Sequence, residues 1–125
     1  MNNTILKVTN LKTYFFTRRG IVKAVNGVDF ELRRGECLCL VGESGCGKTV
    51  TALSILGLID SPPGKIIDGE VRYNNLDLIK CSQKQLSQIR GKEIAMIFQE
   101  AQSCGRTFTQ LRFWILEQLK LHLPL

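Results

Sequence analysis

Histidine is almost missing from this chain, the only one being His122, and the five cysteines at positions 37, 39, 46, 81 and 104 are scattered and odd in number. That set lacks metal-ligand spacing and fits a reduced, cytosolic protein. Long hydrophobic runs are missing too. No segment approaches the ~20 apolar residues that span a bilayer, and Met1 to Asn10 has no charged start followed by an apolar core. Any association with a membrane is therefore expected to run through a partner. Charge is unbalanced, at formal net +6, but no basic run occurs. Arg18-Arg19, Arg33-Arg34, Lys65, Arg72 and Lys84 are dispersed, without the aromatic interleaving of nucleic-acid modules. The spacing thus predicts a generally solvated basic surface and no nucleic-acid partner.

The chain of 125 residues, 44% hydrophobic, has room for one small domain with a buried core. Its most informative stretch is Cys37 to Thr49, CLCLVGESGCGKT. Here Gly42-Glu43-Ser44-Gly45-Cys46-Gly47-Lys48-Thr49 fills the pattern Gly, four residues, Gly, Lys, Ser/Thr, which describes a phosphate-binding loop between a strand and a helix. Cys37 to Val41 is a short apolar run of the kind buried on both faces of a parallel sheet, with Cys37 and Cys39 on one face as small hydrophobes. Ala52, Ile55, Leu56 and Ile59 recur at helical spacing and predict a helix from Thr49 to about Leu58.

The residue types carry the chemistry. Gly42, Gly45 and Gly47 let the backbone approach a phosphate and face its amides inward, at the positive end of the following helix. Lys48 is placed to reach terminal phosphates, and Thr49 offers a hydroxyl to magnesium.

Around the loop, Leu6 and Val8, then Val28, Phe30 and Leu32, alternate as strands with one buried face. A turn is expected at Thr17-Arg18-Arg19-Gly20 and another at Arg33-Arg34-Gly35-Glu36. Tyr14-Phe15-Phe16 read from spacing as core aromatics, with stacking on a base as the alternative. Asp60-Ser61-Pro62-Pro63-Gly64 reads as a loop, and residues 69–78 as a hairpin turning at Asn74-Asn75. Ser82 and Gln85 form a capping-box pattern for a short helix with Leu86 and Ile89 on its apolar side and Gly91 as its stop. Glu93 to Phe98 reads as another apolar strand, ending at Gln99.

This order of features resembles the N-terminal part of ATP-binding cassette (ABC) transporter ATPases. The runs LGLIDSPPGKIIDGEVRYNNLDL (56–78) and IRGKEIAMIFQE (89–100) are similar to the oligopeptide/dipeptide and nickel importer branch. The resemblance implies an α/β P-loop NTPase fold of ABC type, truncated to an antiparallel β portion and an incomplete parallel core. It implies ATP and Mg2+ as cofactors, bound by residues 42–49. It also implies adenine stacking by Phe15, with Tyr14 as the fallback, and a Q-loop role for Gln99 at magnesium and the attacking water. By the same resemblance the partners are transmembrane permease subunits and a second ABC ATPase subunit, which places the chain peripherally on the cytoplasmic face of the cell membrane.

The similarity is read over residues 1–100, from P-loop to Q-loop; residues 101–125 form a divergent tail. No Leu-Ser-Gly-Gly-Gln signature, no hydrophobic strand ending in Asp-Glu and no switch histidine follows. His122 follows none of the elements that would precede a switch histidine. Without a water-activating acid, hydrolysis by the chain alone is expected to be poor or absent. Two readings of the tail stand: a private helix patching an exposed edge, or sequence read out of frame after a frameshift near codon 101, which accounts for the abrupt change. The alternative to a transporter ATPase is a non-catalytic nucleotide-binding remnant. A small P-loop kinase would need an arginine-rich lid and would leave IAMIFQE unexplained.

Overall fold

A computed structural model describes residues 3–43 and 47–97. They divide at Ser82 into two compact units. In the first, alternation and turn chemistry build a four-stranded antiparallel sheet in the order β2-β1-β3-β4. β1 (Thr4–Thr17) and β2 (Gly20–Arg33) form one long hairpin. Its turn falls at Arg18-Arg19 as expected, where Gly20 takes a φ of 131° and its carbonyl accepts from the Thr17 hydroxyl at 2.8 Å. The turn at residues 33–36 also forms, closed by Glu36, whose carboxylate accepts from the Arg33 amide at 2.8 Å.

β3 (Gly64–Tyr73) pairs with the other edge of β1, and β4 (Leu76–Asp77) folds back on β3. Asn74 and Asn75 hold φ of 45° and 71° between them, the left-handed pair that a two-residue hairpin turn requires. Asp77 then starts a 3-10 turn over Leu78–Lys80, its carboxylate accepting from the Ile79 amide at 3.1 Å.

Midway along β1 the sheet is bulged. Asn10 takes a φ of 48°, and the register to β2 and β3 shifts around it. Its amide donates to Asp29 at 2.9 Å and its side chain to Asp68 at 3.1 Å. Gly69 crosses β1 here so closely that an added Cβ would lie 2.6 Å from the Leu11 Cα. One face of the sheet buries Val8, Leu11, Val25 and Val71, and Leu56 and Leu78 complete this small core.

The one α-helix of this unit, α1 (Lys48–Ile55), lies against β1 and β2. Its docking is more polar than its sequence suggests. Of the apolar residues at helical spacing, Leu56 is buried but Ala52, Ile55 and Ile59 are only half-buried, whereas Thr51 and Ser54 are buried. Ser54 donates its single proton to the Val50 carbonyl at 2.7 Å, so the Thr13 hydroxyl of β1, 2.7 Å away, must donate to Ser54. A polar pair that satisfies itself can replace an apolar one at an interface.

Two expected strands do not form. Residues 36–43 carry no ladder, and Cys37, Leu38, Cys39, Leu40 and Val41 are all exposed, Val41 at 94%. Cys37 and Cys39 are therefore not the buried hydrophobes their spacing suggested. Residues 93–97 make a single bridge, Ile94 to Arg90. Phe98, the end of that expected strand, lies outside the described residues. A strand buried on both faces exists only through the neighbours that hydrogen-bond it, and no described strand flanks either run. The antiparallel portion of the expected fold is thus present, and no parallel sheet forms among the described residues.

In the second unit, α2 (Gln83–Ile89) begins directly after Ser82 and buries Leu86 and Ile89. Gly91 follows with a φ of 78°, the left-handed stop its position predicted.

Candidate functional site

Gly47 is where the phosphate-loop sequence meets α1. It caps the helix at a φ of 95°, and an added Cβ would lie 2.3 Å from the Ala24 carbonyl of β2. Only glycine fits a left-handed residue pressed on a strand's backbone. Glycine has no side chain to satisfy the helix's first amides, and the first turn, Lys48 to Thr51, holds no acid. The positive end of α1 is therefore left for an anion from outside the helix.

Lys48, half-buried, opens the helix and turns its ammonium back across the loop. It donates to the carbonyl of Gly42 and, at 3.4 Å, to that of Glu43. The cation is thereby held where the two arms of the loop approach each other. Thr49 is exposed in the same helical turn. Gly42 and Glu43 are exposed at the other arm. Ser44, Gly45 and Cys46, between the arms, lie outside the described residues, as does Gln99.

Thr51 is a contributor that the sequence pattern did not single out. Its hydroxyl and its amide both donate to the Gly47 carbonyl, at 2.7 and 2.9 Å. This fixes the peptide at the junction of loop and helix. The signal available in the sequence was a hydroxyl four residues beyond the loop's last glycine, the spacing for such back-bonding.

The two aromatic candidates are separated by the pleat. Thr13 meets α1, so alternation puts Phe15 on the α1 face and Tyr14 on the other. Phe15 is half-buried beside Gly64, where an added Cβ would lie 2.9 Å from its ring. Tyr14 donates its hydroxyl to Asn26 at 2.7 Å, and the Lys23 ammonium sits 5.6 Å above its ring. Of the two, Phe15 alone shares the face that carries the loop's helix.

A glycine-capped helix N-terminus with a lysine folded back to the start of its loop is the kind of arrangement on which phosphate-binding loops rest. A family described as "ABC transporter" matches residues 25–117. The chain belongs to the ABC transporter family. It is 50% identical over 98 residues to the oligopeptide transport ATP-binding protein AppD of Bacillus subtilis (strain 168), covering 78% of this chain and 30% of AppD. To the dipeptide transport ATP-binding protein DppD of the same organism it is 48% identical over 96 residues, 77% of this chain and 29% of DppD. To the uncharacterized ABC transporter ATP-binding protein YejF of Escherichia coli (strain K12) it is 41% identical over 122 residues, 98% of this chain and 23% of YejF. The chain thus spans less than a third of these relatives. The family match and the YejF alignment both continue past Glu100, where the recognisable motifs stop.

Proposed function

We propose that this chain is the nucleotide-binding part of an ATP-binding subunit that energises import of oligopeptides or dipeptides. The observation that carries the reading is the junction itself: Gly47 pressed on Ala24 at the start of α1, with Lys48 reaching back to Gly42 and Glu43. It occurs in a chain half identical, over 98 residues, to an oligopeptide transport ATP-binding protein. The donor set fits ATP with magnesium. Amides of the segment from Gly42 through Glu43, Ser44, Gly45, Cys46 and Gly47 would hold phosphates, and Lys48 would exchange its carbonyl partners for phosphate oxygens. Thr49 and Gln99 would supply oxygen to the metal, and Phe15 would stack on adenine. Magnesium, when bound, neutralises phosphate charge during transfer to water.

In this reading the chain acts on the cytoplasmic face of the membrane with transmembrane permease subunits and a second ATPase subunit. No described helix is long and apolar enough to cross a membrane. Residues 1–100 form the nucleotide-binding part and 101–125 a divergent tail. Similarity through residue 117 speaks for a tail in frame over a frameshifted one, and resequencing the coding DNA past codon 101 decides between them.

The test is a magnesium-ATP titration of the purified chain against Lys48→Ala. Losing a charged donor to phosphate is expected to weaken binding at least about tenfold; equal affinities refute the assignment. A second reading, a nucleotide-binding remnant without transport activity, is supported by the unladdered run 36–43. It requires phosphate release no faster than that of Lys48→Ala.

A further inference from the structure

The sheet face turned away from α1 gathers cations that are far apart in sequence. Thr13 marks the α1 side, so Lys12, Tyr14 and Phe16 lie on the opposite one. Register adds Ile21 across from Phe16, Lys65 across from Tyr14 and Asn26 across from Lys12. Lys23 reaches over the Tyr14 ring, and Arg18 and Arg19 are exposed in the turn at the end of the hairpin. Among the described residues none of these five cations makes an ion pair. The ion pairs lie elsewhere, at Glu31–Arg33, Glu70–Arg72 and Asp77–Lys80. Carboxylates border the group as well: Asp68, opposite Lys12, and Asp29, both already bonded by Asn10, and Asp60 in the loop before β3.

The same tip is apolar. Phe16 and Ile21 are 46% and 58% exposed on the face away from α1. Val22, opposite Phe15 and hence on the other face, is 53% exposed. Apolar surface therefore wraps around both sides of the hairpin end.

We propose that this hairpin tip docks on an anionic lipid surface, Phe16, Ile21 and Val22 entering the interface while Arg18, Arg19, Lys23, Lys65 and Lys12 meet lipid phosphates. Charge complementarity selects an anionic partner. The two-sided apolar tip selects lipid among anionic partners, because a peptide or a nucleic acid laid on the sheet covers one face, whereas a bilayer interface surrounds a tip that enters it. Two of the exposed apolar groups are aliphatic and offer no ring for base stacking. Long arginine stems let the turn's guanidinium groups return to phosphate level. This docking does not depend on nucleotide binding.

The test is co-sedimentation of the full chain with phosphatidylcholine vesicles containing roughly one phosphatidylglycerol in three, and with phosphatidylcholine alone. Partition is expected to be at least about tenfold higher on the anionic vesicles. The double variant Arg18→Glu, Arg19→Glu should lose at least about tenfold, and Ile21→Ser about fivefold. All three positions are exposed, and an unchanged urea midpoint for each variant secures the fold. No pelleting with anionic vesicles, or equal pelleting with neutral ones, overturns the proposal. So does binding that survives Ile21→Ser and is matched by polyglutamate or duplex DNA, which would identify a plain polyanion site.

Discussion

The β1–β2 hairpin and the run 37–41 both read as strands, yet only the hairpin is one. The hairpin buries Val8, Leu11 and Val25 on a single face, the bulge at Asn10 bringing Leu11 to the side of Val8, and its turn joins two segments that can pair as soon as the turn closes. The run 37–41 has the composition of a strand covered on both sides, and its Val41 and Leu40 stand exposed. Local turns bring antiparallel neighbours together, whereas a parallel strand depends on a crossover from elsewhere. A strand's pattern thus states how it wishes to be covered but not whether the cover is present.

Substitution can break or sharpen that contrast. Leu11→Ala, in the fully buried centre of β1, is expected to cost about 2–5 kcal/mol in a urea melt; a shift near zero would mean the hairpin is not the stabilising unit. Gly69→Ala forces a side chain onto the backbone of β1 at a φ of 112° and should cost about 2–3 kcal/mol. If it is silent, the bulge around Asn10 is not as tight as its geometry states. Thr13→Val removes the donor to Ser54 while keeping shape, for a loss of about 1 kcal/mol and a looser α1. Hydrogen exchange at α1 amides reads the second effect, and unchanged protection would deny the pair its docking role. Val41→Ser, in the exposed run, should shift the midpoint by less than about 0.5 kcal/mol. A large loss there would show that the run is covered in solution.

Much of the first unit was legible because its signals are local. Gly20, the Asn74-Asn75 pair and Gly91 each sit where a left-handed residue was needed, and each marks the boundary it predicted. The start of α1 at Gly47 and Lys48 likewise falls where the loop's fixed spacing put it. Other features depend on which segments meet. The buried side of α1 does not follow its apolar spacing, because Thr51 and Ser54 find hydroxyl and carbonyl partners that periodicity does not record. Tyr14 and Phe15 are neighbours in sequence, with Phe15 preferred and Tyr14 the fallback by resemblance, and the contact of Thr13 with Ser54 puts them on opposite faces.

The sequence by itself determined the turns, the hairpin, the phosphate-loop pattern and the family, since each rests on conformational preferences or spacing within a few residues. Tertiary structure alone decided which strands had neighbours, which face of α1 was buried and where the cations stand. Lys12, Arg18, Arg19, Lys23 and Lys65 form no run in the chain, yet strand pairing and a turn collect them at one end of one sheet. Dispersal along a chain limits charge density only while the chain is extended; pairing distant segments at about 5 Å removes that limit.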